Sequence, residues 1–254
     1  MSLSENAIKN HDELLPNHKS GFKETDPEFI EFFDNFAFDE VLRNSTLDKR
    51  SRMLVTLATL IANQSLAEFK IMIGGAMNLG VTPVEIKEVV YQSVAYVGLA
   101  KAFDFLGTTN QVLTEKGIKL PLEGQSTTNN ENRMEKGLQA QYDIMGKEMI
   151  DNMRINAKEG QEHIIDFLQG YCFGDYYTRN GLSLKDRELI TFSMIASLGG
   201  CESQLRGHTI GNLNVGNDKQ TLVSAVTIMC PYIGFPRTLN ALNIILIVHF
   251  SIFN

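Results

Sequence analysis

Apolar residues recur every three or four positions along most of the chain, and that spacing predicts helices. Leu54, Leu57, Ala58 and Ile61 form one such stripe; Leu189, Phe192 and Ile195 form another. The alternating apolar and polar runs that would announce strands are missing. A helix near positions 66 to 78 is expected to end at Gly80, where a left-handed residue costs glycine little, and Gly216 ends its counterpart in the same way. The next helix opens with Thr82-Pro83-Val84-Glu85, which supplies a hydroxyl cap, proline at the first helical position and a glutamate that closes a capping box. The pattern predicts an all-α protein.

The same pattern occurs twice. At a displacement of 135 positions Ile30 matches Ile165, Phe32 matches Phe167, Phe38 matches Phe173, Arg52 matches Arg187 and Thr56 matches Thr191. Between Ala62 and Ser65 the displacement becomes 136, and Gly75, Asn78 and Gly80 then fall on Gly211, Asn214 and Gly216, followed by Tyr96 and Gly98 on Tyr232 and Gly234. Two copies of one helical unit are expected, over residues 1–117 and 133–254. The joining segment, 118–132, is polar and contains Pro, Gly, Ser and Asn.

Composition narrows the function classes. The 254 residues are 43% hydrophobic and 21% charged, as in an ordinary globular protein, and 23 Lys+Arg against 30 Asp+Glu leave a net charge of −7. That sign argues against nucleic acid as a partner. No uninterrupted apolar run reaches bilayer length, and the N-terminal stretch has no apolar core of a secretory signal, so no membrane and a cytoplasmic location are expected. The apolar Ile244 to Phe253 stretch reads as a buried terminal helix. Three dispersed cysteines, Cys172, Cys201 and Cys230, suggest free thiols in a reducing compartment.

The second copy carries a denser set of marks: Asp186-Arg187-Glu188, Gly199-Gly200-Cys201-Glu202, Arg206-Gly207-His208, Asn212 and Asn214 to Gly216, Gly234-Phe235-Pro236 and Asn240-Ala241-Leu242. Over Leu184 to Asn243 these resemble the carboxymuconolactone decarboxylase family, and the first copy resembles it less closely from Leu47 to Leu106. The resemblance implies two tandem copies of an alkylhydroperoxidase-D-like helical unit. It further implies a homotrimer forming a pseudo-hexameric ring. The family includes a decarboxylase of an acidic lactone and disulfide-using peroxidases, so fold alone does not assign the chemistry.

His208 is suited to delivering a proton, as a decarboxylation requires once the carbanion has formed, and Gln204 lies one turn earlier on the same helix. Glu188 is brought toward His208 by the family resemblance, to orient the imidazole or act as acid or base. The alternatives left open are a packing role for His208 and a helix-dipole role for Glu188. Arg187, Arg206 and Arg237 are candidates for a carboxylated substrate, since guanidinium forks match carboxylates, although solvated or structurally paired arginines are the commoner case. Cys201 is the residue on which a thiol-dependent antioxidant reading turns, but the second cysteine of the peroxidase pattern is Gln204, so no disulfide can form there. In the first copy Met53, Ser65, Glu68 and Met72 stand where Glu188, Cys201, Gln204 and His208 do, which predicts a structural half. No phosphate loop, zinc helix, nucleophile elbow or dinucleotide fingerprint is present, and no cofactor or metal is implied. Three readings result: a cofactor-independent enzyme acting on a small carboxylated lactone or keto acid, a thiol antioxidant, or a ring-forming binding protein.

Overall fold

The computed structural model describes residues 2–253, and every regular element among them is helical. The first unit comprises α1 (Glu5–Leu14), a short α2 (Phe22–Thr25), α3 (Pro27–Asn35), α4 (Val41–Arg43), α5 (Lys49–Ala62), α6 (Leu66–Asn78), α7 (Pro83–Val97) and α8 (Leu99–Glu115). The second comprises α9 (Arg133–Met145), α10 (Lys147–Ile155), α11 (Glu162–Phe167), α12 (Leu184–Leu198), α13 (Glu202–Asn214) and α14 (Lys219–Phe253). Widened π-type turns, Phe36–Glu40 and Leu168–Tyr177, follow α3 and α11.

Matching details recur in the two units. Asn78 donates from Nδ2 to the Leu14 carbonyl at 2.9 Å, and Asn214 donates to the Ile144 carbonyl at 2.8 Å, so each unit ties its third long helix to its first in the same way. Gly98 (φ 82°) separates α7 from α8, and Gly234 (φ 74°) breaks α14 at the corresponding place. Positive φ is nearly free for glycine and strained for other residues, which is why both breaks are glycines.

The two central helices are α5 and α12. Met53–Ala62 and Arg187–Ser197 are buried without interruption, so these helices have no solvent face over those spans. The core is shared between units. One cluster joins Leu54, Leu57, Ile73, Ile86 and Val89 to Leu182, Ile190 and Met194, and another joins Leu189, Phe192, Leu222 and Met229 to Val41 and Val55. A third, smaller cluster packs Ala140, Ile144, Cys172, Phe173 and Tyr177 beside Tyr96.

The C-terminal helix departs from expectation. Lys219–Ser251 has the length of a membrane span and contains an 18-residue stretch with a mean hydropathy of 1.3, although no uninterrupted apolar run reaches that length. Its first part lies in the core through Leu222, Val226 and Met229, and Gly234 divides it. Beyond the break Ala241, Ile244, Ile245 and Val248 are buried as expected, while Leu246, Ile247 and Phe250 are exposed. Asn254 lies outside the described residues.

Candidate active site

Ser183 caps α12 and exchanges hydrogen bonds with Asp186, and two residues later Glu188 enters the interior with no exposed surface. A buried carboxylate is costly unless hydrogen-bond donors surround it. Tyr177, at the end of the π-type turn, donates to Glu188 Oε1 at 2.7 Å, and His208 on α13 places Nδ1 2.9 Å from Oε2. With Glu188 as acceptor, Nδ1 carries the imidazole proton and Nε2 is left for other chemistry. Nε2 makes no hydrogen bond to protein among the described residues.

The donors behind Glu188 are themselves ordered. Gln92 on α7 donates from Nε2 to Thr191 Oγ1 at 2.8 Å, which leaves the Thr191 proton to serve Tyr177, also at 2.8 Å. Tyr96, also on α7, lies 2.8 Å from the Tyr177 hydroxyl, and its ring meets the His208 ring edge-on at 5.6 Å between centroids. Burial, and then neighbouring charge or thiol, holds both phenols well above the ordinary tyrosine range, so they remain neutral donors. Burial also pushes the Cys172 thiol, 3.7 Å from the Tyr96 hydroxyl, up to about 12.

Close approach of α12 and α13 depends on two further residues. Asn212 donates to the backbone carbonyls of Glu188 at 3.0 Å and His208 at 2.7 Å, and Asn217 secures its amide oxygen at 2.8 Å. At Gly211 a Cβ would lie 2.6 Å from Glu188 Oε2, so only glycine lets the helix pass the carboxylate undisturbed.

The arginines and the glutamine are placed elsewhere. Arg187 is fully buried and committed: it donates to Glu88 Oε2 at 2.9 Å, to Gln92 Oε1 at 2.8 Å and to the carbonyls of Arg179 and Asn180. Its expected substrate role is therefore corrected, because both terminal nitrogens of its guanidinium are taken by protein acceptors and the side chain has no exposed surface. Gln204 and Arg206 are exposed, and neither is hydrogen-bonded to Glu188 or His208. Gln204 and His208 lie one turn apart on α13, but Gln204, in the first turn, is exposed whereas His208 is buried. Arg237 is exposed and donates to Asn63 Oδ1 of the first unit at 2.9 Å. Half-exposed Cys201 shares a small cleft with Arg237, and all three cysteines are free.

Comparison with known proteins bears on this arrangement. The family model described as carboxymuconolactone decarboxylase matches residues 27–111 and 163–246, more than half of the chain. The chain belongs to the carboxymuconolactone decarboxylase family. It is 25% identical over 115 residues to the 4-carboxymuconolactone decarboxylase of Acinetobacter baylyi, covering 45% of this chain and 85% of that protein. It is 28% identical over 85 residues to the nitrosuccinic acid decarboxylase npaB of Metarhizium robertsii, covering 34% of this chain and 59% of that one. A crystal structure from Burkholderia xenovorans LB400, provisionally named a gamma-carboxymuconolactone decarboxylase subunit, aligns with a TM-score of 0.54 at 22% identity over 96% of this chain and 98% of that one, which shows the fold.

Within this family member the first unit carries no counterpart of the Glu188–His208 pair. Met53 and Met72 are buried and line a small cavity with Thr56 and Tyr232. Burial, and then Asp34, raises the Glu68 carboxyl above the usual range. Among the described residues no three metal-ligating side chains converge. Sequence reasoning did not identify Tyr177, Thr191 or Gln92 as parts of the site. Tyr96 was visible only as a repeat match to Tyr232, and its place beside His208 arises from packing of the first unit on the second.

Proposed function

We propose that this protein is a decarboxylase-family lyase acting on a small carboxylated lactone or keto acid, with His208 as proton donor. The observation that carries the reading is the oriented pair: Glu188 holds His208 Nδ1 at 2.9 Å and leaves Nε2 without a protein partner. In the proposed step the bond between the substrate carbon and its carboxylate breaks, carbon dioxide departs, and the electron pair moves into the conjugated carbonyl as an enolate. Protonated His208 then gives its Nε2 proton to the carbon, and Glu188 stabilises the imidazolium before and solvent restores the proton afterwards. The names of the two curated relatives, both decarboxylases of carboxylated acids, support the substrate class.

The proposed assembly is a homotrimer with six quasi-equivalent units. Leu99 and Phe103 on α8, and Phe235 and Leu239 at the corresponding positions of α14, are each more than half exposed, which supports matching apolar contacts on both units. Native mass spectrometry tests the trimer, and carbon dioxide release from a panel of carboxylated lactones and keto acids tests the chemistry. His208→Ala is expected to retain the trimer mass and lower kcat about 10²- to 10⁴-fold. Unchanged turnover in that variant refutes the role of His208.

A further inference from the structure

A separate cavity of about 360 Å³ lies beneath the segment joining the two units, lined by Val84, Leu120, Leu122, Tyr91, Lys87 and Arg179 among others. Lys87, on α7, is only 8% exposed. Its ammonium donates to the Asn110 side-chain oxygen and makes no ion pair with a carboxylate among the described residues. Burying a cation without a counter-charge is unfavourable, so the position calls for an anion.

The surrounding charges sharpen that demand. Glu88, one residue on and 1% exposed, is the single buried carboxylate here, and it already serves two guanidiniums, those of Arg179 and Arg187. Arg179 uses Nε and Nη2 on Glu88 at 2.9 to 3.0 Å, and its Nη1 has no protein acceptor among the described residues. Glu123, the other acidic group lining the cavity, is on an exposed part of the joining segment. Glu88 is thus taken up by Arg179 and Arg187, and Lys87 has no carboxylate partner among the described residues. Lys87 and Arg179 also lie 5.6 and 5.1 Å from the centroid of the Tyr91 ring, so an aromatic surface adjoins both cations.

We infer that this cavity is a second ligand site, distinct from the Glu188–His208 pair, that takes a small carboxylate with a flat apolar body. Lys87 and the free edge of Arg179 receive the carboxylate, and Val84, Leu120, Leu122 and the Tyr91 ring receive the apolar part. Burial draws the Lys87 ammonium below its ordinary range, and a bound anion opposes that shift.

Calorimetric titration with benzoate, and separately with inorganic phosphate, tests the site in the full chain and in the Lys87→Met and His208→Ala variants. Benzoate is expected to bind the parent and His208→Ala alike, and at least tenfold more weakly to Lys87→Met, the loss of one charge-assisted contact. Without ligand, Lys87→Met is expected to melt at or above the parent temperature, because an unpaired buried charge has been removed; this also shows that it folds. Benzoate bound equally by Lys87→Met, or not bound by the parent at about 10 mM, overturns the proposal. Loss of benzoate in His208→Ala assigns the anion to the other site and overturns it as well. Phosphate bound more tightly than benzoate overturns the apolar part of the ligand assignment.

Discussion

Tyr177 is the residue on which the candidate site is hinged. Its hydroxyl donates to Glu188 and receives from Thr191 and Tyr96, so it is the point where the donors of two helices meet one carboxylate. Replacing it with phenylalanine keeps the ring that stacks on Phe173 and removes the donor to Glu188 together with the acceptor for Thr191 and Tyr96. The buried carboxylate then keeps His208 but loses its other side-chain donor, at a cost of about 1–3 kcal/mol. Tyr177→Phe is expected to lose that much stability in urea titration and, on the proposed mechanism, to lower kcat about tenfold with KM nearly unchanged. Equal kcat and stability in the variant and the parent contradict this.

At the scale of elements, two glycines on α13 separate packing from propensity. Gly211 faces α12 and α9: a Cβ there would lie 2.6 Å from Glu188 Oε2 and 2.9 Å from Ile144 Cγ2. Gly207 has nothing within 4 Å of the same added atom. Gly211→Ala is expected to destabilise by about 1–3 kcal/mol through overpacking and to disturb Glu188, whereas Gly207→Ala is expected to stabilise by about 0.5–1 kcal/mol through helix propensity. Thermal melts of the two variants, moving in opposite directions, check the pair. The capping box at Thr82 and Glu85 was legible in the sequence because it is local, and the structure contains it. The π-type turn that aims Tyr177 was not legible, since no short residue pattern specifies a widened turn and its register is set by packing against α9.

At the scale of the whole molecule, Arg50 links the units. It reaches Glu85 at 2.6 Å within its own unit and grips both oxygens of Asp186 at 2.9 and 3.0 Å across the boundary. Burial raises the Asp186 carboxyl, but the bonds from Arg50 and Ser183 outweigh it and hold the group below its ordinary 3.8. A carboxyl depressed in the folded state contributes stability that is present above the unfolded value and is lost as pH falls through the folded one. Asp186→Asn is therefore expected to cost about 1–2 kcal/mol at neutral pH, reduced by the partial exposure of Arg50. The gap between variant and parent should narrow below about pH 4 in urea titrations across pH. A gap that stays constant from pH 7 to 3 excludes the ion pair as its source.

The sequence by itself determined the helices, their caps, the doubling of the unit and the pairing of Glu188 with His208 as candidates. The helices, caps and doubling follow from periodicity, local hydrogen bonding and recurrence, which require no knowledge of distant contacts, and the pairing of Glu188 with His208 is what the family resemblance implies. Tertiary structure decided which of the marked residues act together. Arg187 looked like a substrate anchor and is instead enclosed by Glu88 and Gln92, because α7 of the first unit packs against α12 of the second. The same packing brings Tyr96 to His208, while Lys87, beside Asn110 and the joining segment, is buried without a counter-charge among the described residues. Burial and partnership are properties of the assembled core, and each side chain acquired its chemistry from neighbours far away in the chain.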